Sequence, residues 1–145
     1  MALPNTVREL SENEDYRFGL RFPLEYNNQQ GGFFPSTKTL REQVSSNIKN
    51  LLLTSKGERV GLPEFGTDVT SILFEPITGD MASRLESSIS EGISKWLPYV
   101  TIQNIYVITP DDQPNSVLIS IEFSVDVEDP DAVETITFNF NTAGE

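Results

Sequence analysis

Between Val117 and Val127 the sequence alternates strictly enough to dictate a strand. Val117, Ile119, Ile121, Phe123, Val125 and Val127 take one parity, and Leu118, Ser120, Glu122, Ser124 and Asp126 take the other. Successive side chains of an extended chain point to opposite faces, so the segment has one dry face and one mostly wet face. Val133 to Asn141 repeats the pattern, setting Ile136, Phe138 and Phe140 against Thr135, Thr137 and Asn139. Thr101–Thr109, rich in β-branched and aromatic residues, supplies a third strand. Turn chemistry separates the three, at Pro110-Asp-Asp-Gln-Pro-Asn115 and at Glu128-Asp-Pro-Asp131. The expected result is an antiparallel meander whose dry face must be covered.

Two helices are available to cover it. From about Thr37 to Leu53, residues Leu40, Val44, Ile48, Leu51 and Leu52 fall on one stripe at helical period, and Thr39 with Glu42 has capping-box spacing. From about Gly79 to Trp96, Met81, Leu85, Ile89 and Ile93 recur every four residues. There Thr78 is the expected N-cap, Asp80 suits the positive end of the helix dipole, and Pro98 closes the element. Gly92 in the helix interior costs about 1 kcal/mol, which points to a close contact at that position. A short helix is expected from Asp68 to Phe74, with Thr67 or Asp68 as cap and Pro76 as its end. The fold class is thus α+β: two main helices on a small antiparallel C-terminal sheet. Residues 1–35 read as an extended N-terminal arm and residues 36–145 as the folded domain. The arm contains an acidic patch, Ser11–Asp15, a Gly- and amide-rich turn, Asn27–Gly32, and an apolar and aromatic stretch, Tyr16–Leu24.

The chain of 145 residues has no Cys and no His. Disulfides, thiolate metal sites, a Cys nucleophile, the usual general base and the Ser-His-Asp triad are excluded with them. No apolar run approaches the about 18 residues needed to span a bilayer, and Met1–Arg8 does not have the make-up of a leader peptide. The net charge is −12, unevenly spread: ten basic and 13 acidic residues reach Lys95, then nine acidic residues and no Lys or Arg follow to Glu145. Such a half repels phosphate backbones and anionic membranes and favours a basic partner. The carboxylate run Asp126–Asp131 departs from a calcium loop, because Pro130 takes the fifth position and no Gly follows. No cofactor or metal is expected. A glycoside hydrolase needs two carboxylates, one kept protonated by burial. Glu64 and Glu75, flanked by Phe and Pro, are the candidates for burial, but no spacing singles out an acid and a nucleophile.

Two features point to assembly. The loop Thr54–Gly66 carries three glycines and a proline and needs tethering, for which Arg59 and Glu64 are the candidates. The last strand has no Lys and no Pro between Val133 and Asn141, so at a sheet edge it would lack the usual guards against strand addition.

Leu51-Leu-Leu-Thr-Ser-Lys-Gly-Glu-Arg-Val60, then Pro63-Glu-Phe-Gly66, then Leu73-Phe-Glu-Pro76 closely resembles the baseplate wedge and sheath-initiator family of contractile phage tails, which also serves type VI secretion baseplates. The resemblance runs from about residue 16 to 141, and its motif positions are Gly57, Arg59, Pro63, Glu64, Phe65, Gly66, Phe74, Glu75 and Pro76. It implies a non-enzymatic structural subunit of the virion tail baseplate, assembled in the host cytoplasm in about six copies per tail. The implied partners are the tail sheath protein, the baseplate wedge proteins and hub or tube-proximal proteins, with no nucleic acid and no membrane. The C-terminal strands would offer the first sheath ring an edge, so Val133, Thr135, Ile136, Thr137, Phe138, Asn139 and Phe140 are the sheath-binding candidates. Many members carry Glu-Pro-Arg after the second long helix, where this chain has Leu97-Pro98-Tyr99. Wedge binding through that surface would then rest on apolar and aromatic contact from Trp96, Leu97, Pro98 and Tyr99. The alternatives are a wedge component without sheath contact, a peptidoglycan hydrolase, or an anti-adaptor on the same fold. A cut after Ala132 is expected to leave the baseplate intact while removing the sheath template.

Overall fold

The computed structural model describes residues 17–24, 34–75, 79–110, 116–125 and 129–141. The expectations on Ser11–Asp15, Asn27–Gly32, Pro76, Thr78, the turn 111–115 and Asp126–Glu128 lie outside those residues.

Thr39 is extended ahead of helix α1 (Leu40–Leu52), and its hydroxyl accepts the Glu42 backbone N–H at 3.2 Å. The Glu42 carboxylate reaches back to the N–H of Lys38, at 2.9 Å, instead of to Thr39 itself. The capping pair is present with its return bond displaced by one residue, and such a cap contributes about 1 kcal/mol. The helix starts later than the expected Thr37 because strand β1 (Gly19–Leu20) pairs antiparallel with β2 (Ser36–Thr37). Part of the expected arm is thereby bonded to the domain. The Phe22 N–H also donates to Ser46 Oγ on α1 at 3.2 Å.

Helix α2 (Val69–Leu73) lies within its expected span, but Asp68 at its N-cap makes no side-chain capping bond. That carboxylate is drawn away by an ion pair with Lys56. Helix α3 (Met81–Trp96) starts at Met81, with Asp80 at its N-cap, so Gly79 precedes it. Leu97 follows as C-cap, its N–H bonded to the Ile93 carbonyl at 2.8 Å.

Strands β3 (Val100–Ile108), β4 (Ser116–Val125) and β5 (Asp129–Asn141) form an antiparallel sheet in the order β3-β4-β5. The last strand begins before the expected Val133, and Asp129-Pro-Asp131 belongs to it instead of to a turn. Pro130 is tolerated there because it falls in the register shift between Asp129 and Glu134, where no ladder N–H is called for. The dry face of β4 is the floor of the core: Val117, Ile119, Ile121 and Phe123 are at most 1% exposed. Val44, Ile48 and Leu51 of α1 and Leu85, Ile89 and Ile93 of α3 are fully buried against it. Each such side chain gives roughly 1.5–3 kcal/mol of burial, and this two-layer contact carries the fold. Among the described residues no helix is long and apolar enough to cross a membrane.

The cut after Ala132 needs correction on this ground. Ile136 and Phe138, on the removed strand, are 7% and 8% exposed and belong to the core cluster, so the cut removes fold as well as edge.

Candidate interaction surfaces

The loop between α1 and α2 is closed at its neck. Thr67 N–H donates to the Thr54 carbonyl at 3.0 Å, and Ser55 and Thr67 form a bridge. Gly57 N–H crosses the loop to the Pro63 carbonyl at 2.7 Å. The two expected tethers both act, each with its own partner. Arg59 donates to Asn50 Oδ1 at 2.9 Å and lies 4.0 Å above the Phe65 ring. Glu64 accepts from Lys95 Nζ on α3 at 2.9 Å. Phe65 meets Trp96 edge-on at 5.3 Å between centroids. The motif Gly57, Arg59, Pro63, Glu64, Phe65, Gly66 is therefore a self-bonded loop fastened to both long helices. Gly92 is explained here: a Cβ on it would lie 2.7 Å from Thr67 Cγ2, so the close neighbour is the loop neck more than a second helix.

Glu64 and Glu75, expected to be buried, are exposed. Their ion pairs with Lys95 and Arg84 lie at the surface, the second a fork in which both Glu75 oxygens take guanidinium N–H groups. Phe74, beside Glu75, is also exposed, at 75%. Flanking Phe and Pro failed as a burial signal because α2 ends at Leu73 and lets the next two residues face solvent. A hydrogen bond from Lys95 holds Glu64 below the usual carboxylate range, and one from Arg84 does the same to Glu75. A general acid for glycoside cleavage needs the opposite shift. These carboxylates stay ionised to lower pH than free glutamate and cannot fill that role.

At the second candidate surface, Leu97 is 7% exposed and packs into the chain's own core. Its side chain is thus spent inside, and Trp96, Pro98 and Tyr99 remain at the surface. Trp96 and Tyr99 are partly buried; the Tyr99 hydroxyl accepts from Asn47 Nδ2 at 3.2 Å.

The two edge strands of the sheet differ. β3 is broken by a bulge between Ile102 and Asn104, with Gln103 Nε2 donating to Ser124 Oγ at 3.3 Å. β5 pairs with β4 in unbroken register from Glu134 to Asn141, and its register shift falls ahead of that run, between Asp129 and Glu134. Ile136 and Phe138 are buried, Phe140 packs partly against the core, and Val133, Thr135, Thr137 and Asn139 are exposed. Thr137 lies opposite Ser120, which in turn lies opposite Tyr106 on β3.

The composition gave no hint of one further feature. Arg41 on α1 lies 3.7 Å from Glu134 on β5, so the edge of the acidic sheet adjoins the cationic flank of α1. The legible signal was the four-residue recurrence of Arg41, Ser45 and Lys49 off the apolar stripe.

These elements have counterparts in known proteins. Three solved structures share the fold: a protein of Geobacter sulfurreducens that carries the description tail lysozyme (TM-score 0.65, 22% identity, 73% of this chain and 94% of that one), a component of the type VI secretion baseplate complex (0.55, 19%, 70% and 93%), and one of the anti-feeding prophage baseplate (0.55, 15%, 85% and 83%). At those identities the likeness is one of fold, and the word lysozyme carries no activity to this chain. The baseplate wedge protein gp25 of Enterobacteria phage T4 is 30% identical over 93 residues, which cover 64% of this chain and 69% of the phage protein. The family model described as baseplate wedge protein gp25 matches residues 38–130, from the residue ahead of the α1 cap into the start of β5, and the chain belongs to that family.

Proposed function

We propose that this wedge-family subunit is a structural part of a contractile-tail baseplate that starts sheath assembly by offering β5 to an incoming strand of the first sheath ring. The observation that carries the reading is the run Glu134–Asn141 of β5, which pairs without a break at the end of the sheet order, whereas β3 at the other end is bulged within its paired stretch; β5's own register shift lies ahead of that run, between Asp129 and Glu134. Bulges blunt an edge, and a straight edge accepts a strand through its main-chain groups. Ile136 and Phe138, anchored in the core, fix which face of β5 looks inward, and so fix the register of what is added. In this reading the net charge of −12 steers a net-basic partner from a distance. Trp96, Pro98 and Tyr99, beside the fastened loop, are the wedge-facing surface, an aromatic contact in place of the family's Glu-Pro-Arg. Hub or tube-proximal proteins, about six copies per tail, and residence in the virion tail complete the assembly. Of residues 1–35, those that β1 and Phe22 do not tie to the domain act as an arm to a neighbour, and the chain performs no catalysis.

The absence of Cys permits a direct test. Thr137 and Tyr106 lie in one cross-strand row at opposite edges, so Thr137→Cys and Tyr106→Cys probe the two edges at equal depth. Each is assembled into baseplates and mixed with sheath subunits carrying single cysteines along a candidate strand. Thr137→Cys is expected to cross-link at alternate sheath positions, and Tyr106→Cys not to cross-link. Cross-linking from Tyr106→Cys alone, or from neither while sheath still polymerises, would leave a wedge component whose sheath contact lies elsewhere.

A further inference from the structure

A cationic groove adjoins the proposed sheath edge. Arg21 and Phe22, after β1, Arg41, Ser45 and Lys49 on α1, and Glu134 on β5 line a cavity of about 480 Å³. Arg41, Ser45 and Lys49 recur every four residues and so share one face of α1. The two carboxylates on its wall are already engaged: Glu42 accepts the Lys38 N–H at 2.9 Å, and Glu134 lies 3.7 Å from the Arg41 guanidinium. The Arg21 and Lys49 side chains make no ion pair with any described residue. No Lys or Arg occurs after Lys95, so α1 and the segment after β1 supply the positive charge beside this edge.

A strand added to β5 would lie about 4.8 Å farther out. Every second side chain would then turn toward the layer that holds α1, at intervals of about 6.7 Å. The charges on that side are Arg41, Lys49 and Arg21, with Glu134 turned to Arg41 and Glu42 to the Lys38 N–H. We infer that the segment this edge accepts carries acidic side chains at alternate positions, facing α1, with Lys49 and Arg21 as their principal partners. The inference rests on the strand-addition reading and names the chemistry of the strand. It also refines what composition suggests: a net-basic partner is favoured at long range, while the joining strand itself is acidic on its helix-facing side. Ion pairs partly shielded by an added strand are screened less than exposed ones, so local complementarity decides register and residence time.

The test combines charge reversal with the cross-link. Baseplates bearing Lys49→Glu, Arg21→Glu or both are assembled in the Thr137→Cys background and challenged with sheath subunits. The single reversals are expected to lower the rate of Thr137→Cys cross-linking about tenfold and the double variant more. Replacing the facing acidic residues of the sheath strand by Lys should restore it. Neither side chain has an ionic partner to lose among the described residues, so the melting midpoint of the free chain should stay within a degree or two of the parent. If Thr137→Cys cross-links and both reversals leave its rate unchanged, the groove is solvated surface and the inference fails while strand addition stands. If the parent Thr137→Cys gives no cross-link at any sheath position, strand addition itself is wrong.

Discussion

Cutting the chain after Ala132 is expected to unfold it, not to yield a folded subunit lacking one function. The cut removes Ile136 and Phe138, which are 7% and 8% exposed, and with them the ladder that pairs β5 to β4 from Glu134 to Asn141. Losing a large buried side chain costs about 2–5 kcal/mol. Two of them, with the backbone pairing, rival the whole 5–15 kcal/mol that holds a domain of this size. The remaining chain would also leave β4, with Ile119, Ile121 and Phe123 on its dry face, as a bare hydrophobic edge. The check is thermal unfolding followed by far-ultraviolet circular dichroism, with a dye that reports exposed apolar surface. The truncated chain should give no cooperative transition, bind dye strongly and aggregate. A cooperative transition within a few degrees of the full chain would mean that β5 lies outside the core. The expected unfolding is also why single substitutions on the exposed side of β5, and not truncation, are the proper probe of sheath contact.

The elements legible from sequence are those whose apolar period is long. The stripe Val44, Ile48, Leu51 on α1, the stripe Leu85, Ile89, Ile93 on α3 and the alternation along β4 all reappear as fully or almost fully buried side chains. The ends were less legible. Ser36-Thr37 pairs with Gly19-Leu20, a bond between segments far apart in sequence that no local pattern announces, and it delays α1. Asp129-Pro-Asp131 has turn composition, yet it lies in β5: Asp129 pairs with Val125, and the irregularity its composition announces is absorbed as a register shift before Glu134. At the candidate surfaces, residue type misled where orientation decided. Glu64 and Glu75 have apolar neighbours but face solvent and basic partners, and Leu97 looks like a surface anchor but turns inward. The loop motif was legible as needing a tether, and Arg59 and Glu64 were the right residues. Their partners Asn50, Phe65 and Lys95 were not readable, because three separate elements meet there only after folding.

The three glycines of that loop should respond very differently to alanine, and the contrast measures how firmly the family block is held. Gly66 has φ +117°, and a Cβ there would sit 2.4 Å from the Thr54 carbonyl oxygen and 3.0 Å from the Ser55 carbonyl carbon. Both are backbone atoms at the loop neck. The Thr54 carbonyl cannot swing away without losing the Thr67 N–H it accepts at 3.0 Å. Gly66→Ala therefore combines an unfavourable backbone region with a clash that nothing can relieve cheaply, and about 3 kcal/mol or more should be lost. For a chain of this length that is a fall in melting midpoint of roughly 10 °C. Gly57 also has positive φ, +87°, but an added Cβ would meet nothing within 4 Å. Gly57→Ala should then cost only the conformational penalty, about 1–2 kcal/mol. Gly61 has neither constraint, and Gly61→Ala should be neutral or slightly stabilising, by up to about 1 kcal/mol, because it restricts the unfolded chain. Differential scanning calorimetry of the three variants separates the contributions: Gly57 against Gly61 isolates strain, and Gly66 against Gly57 isolates the clash at the neck. If Gly66→Ala costs no more than Gly57→Ala, the neck gives way easily. The loop would then be a movable strap, and a wedge surface built on Phe65 and Trp96 would lose its rigid support.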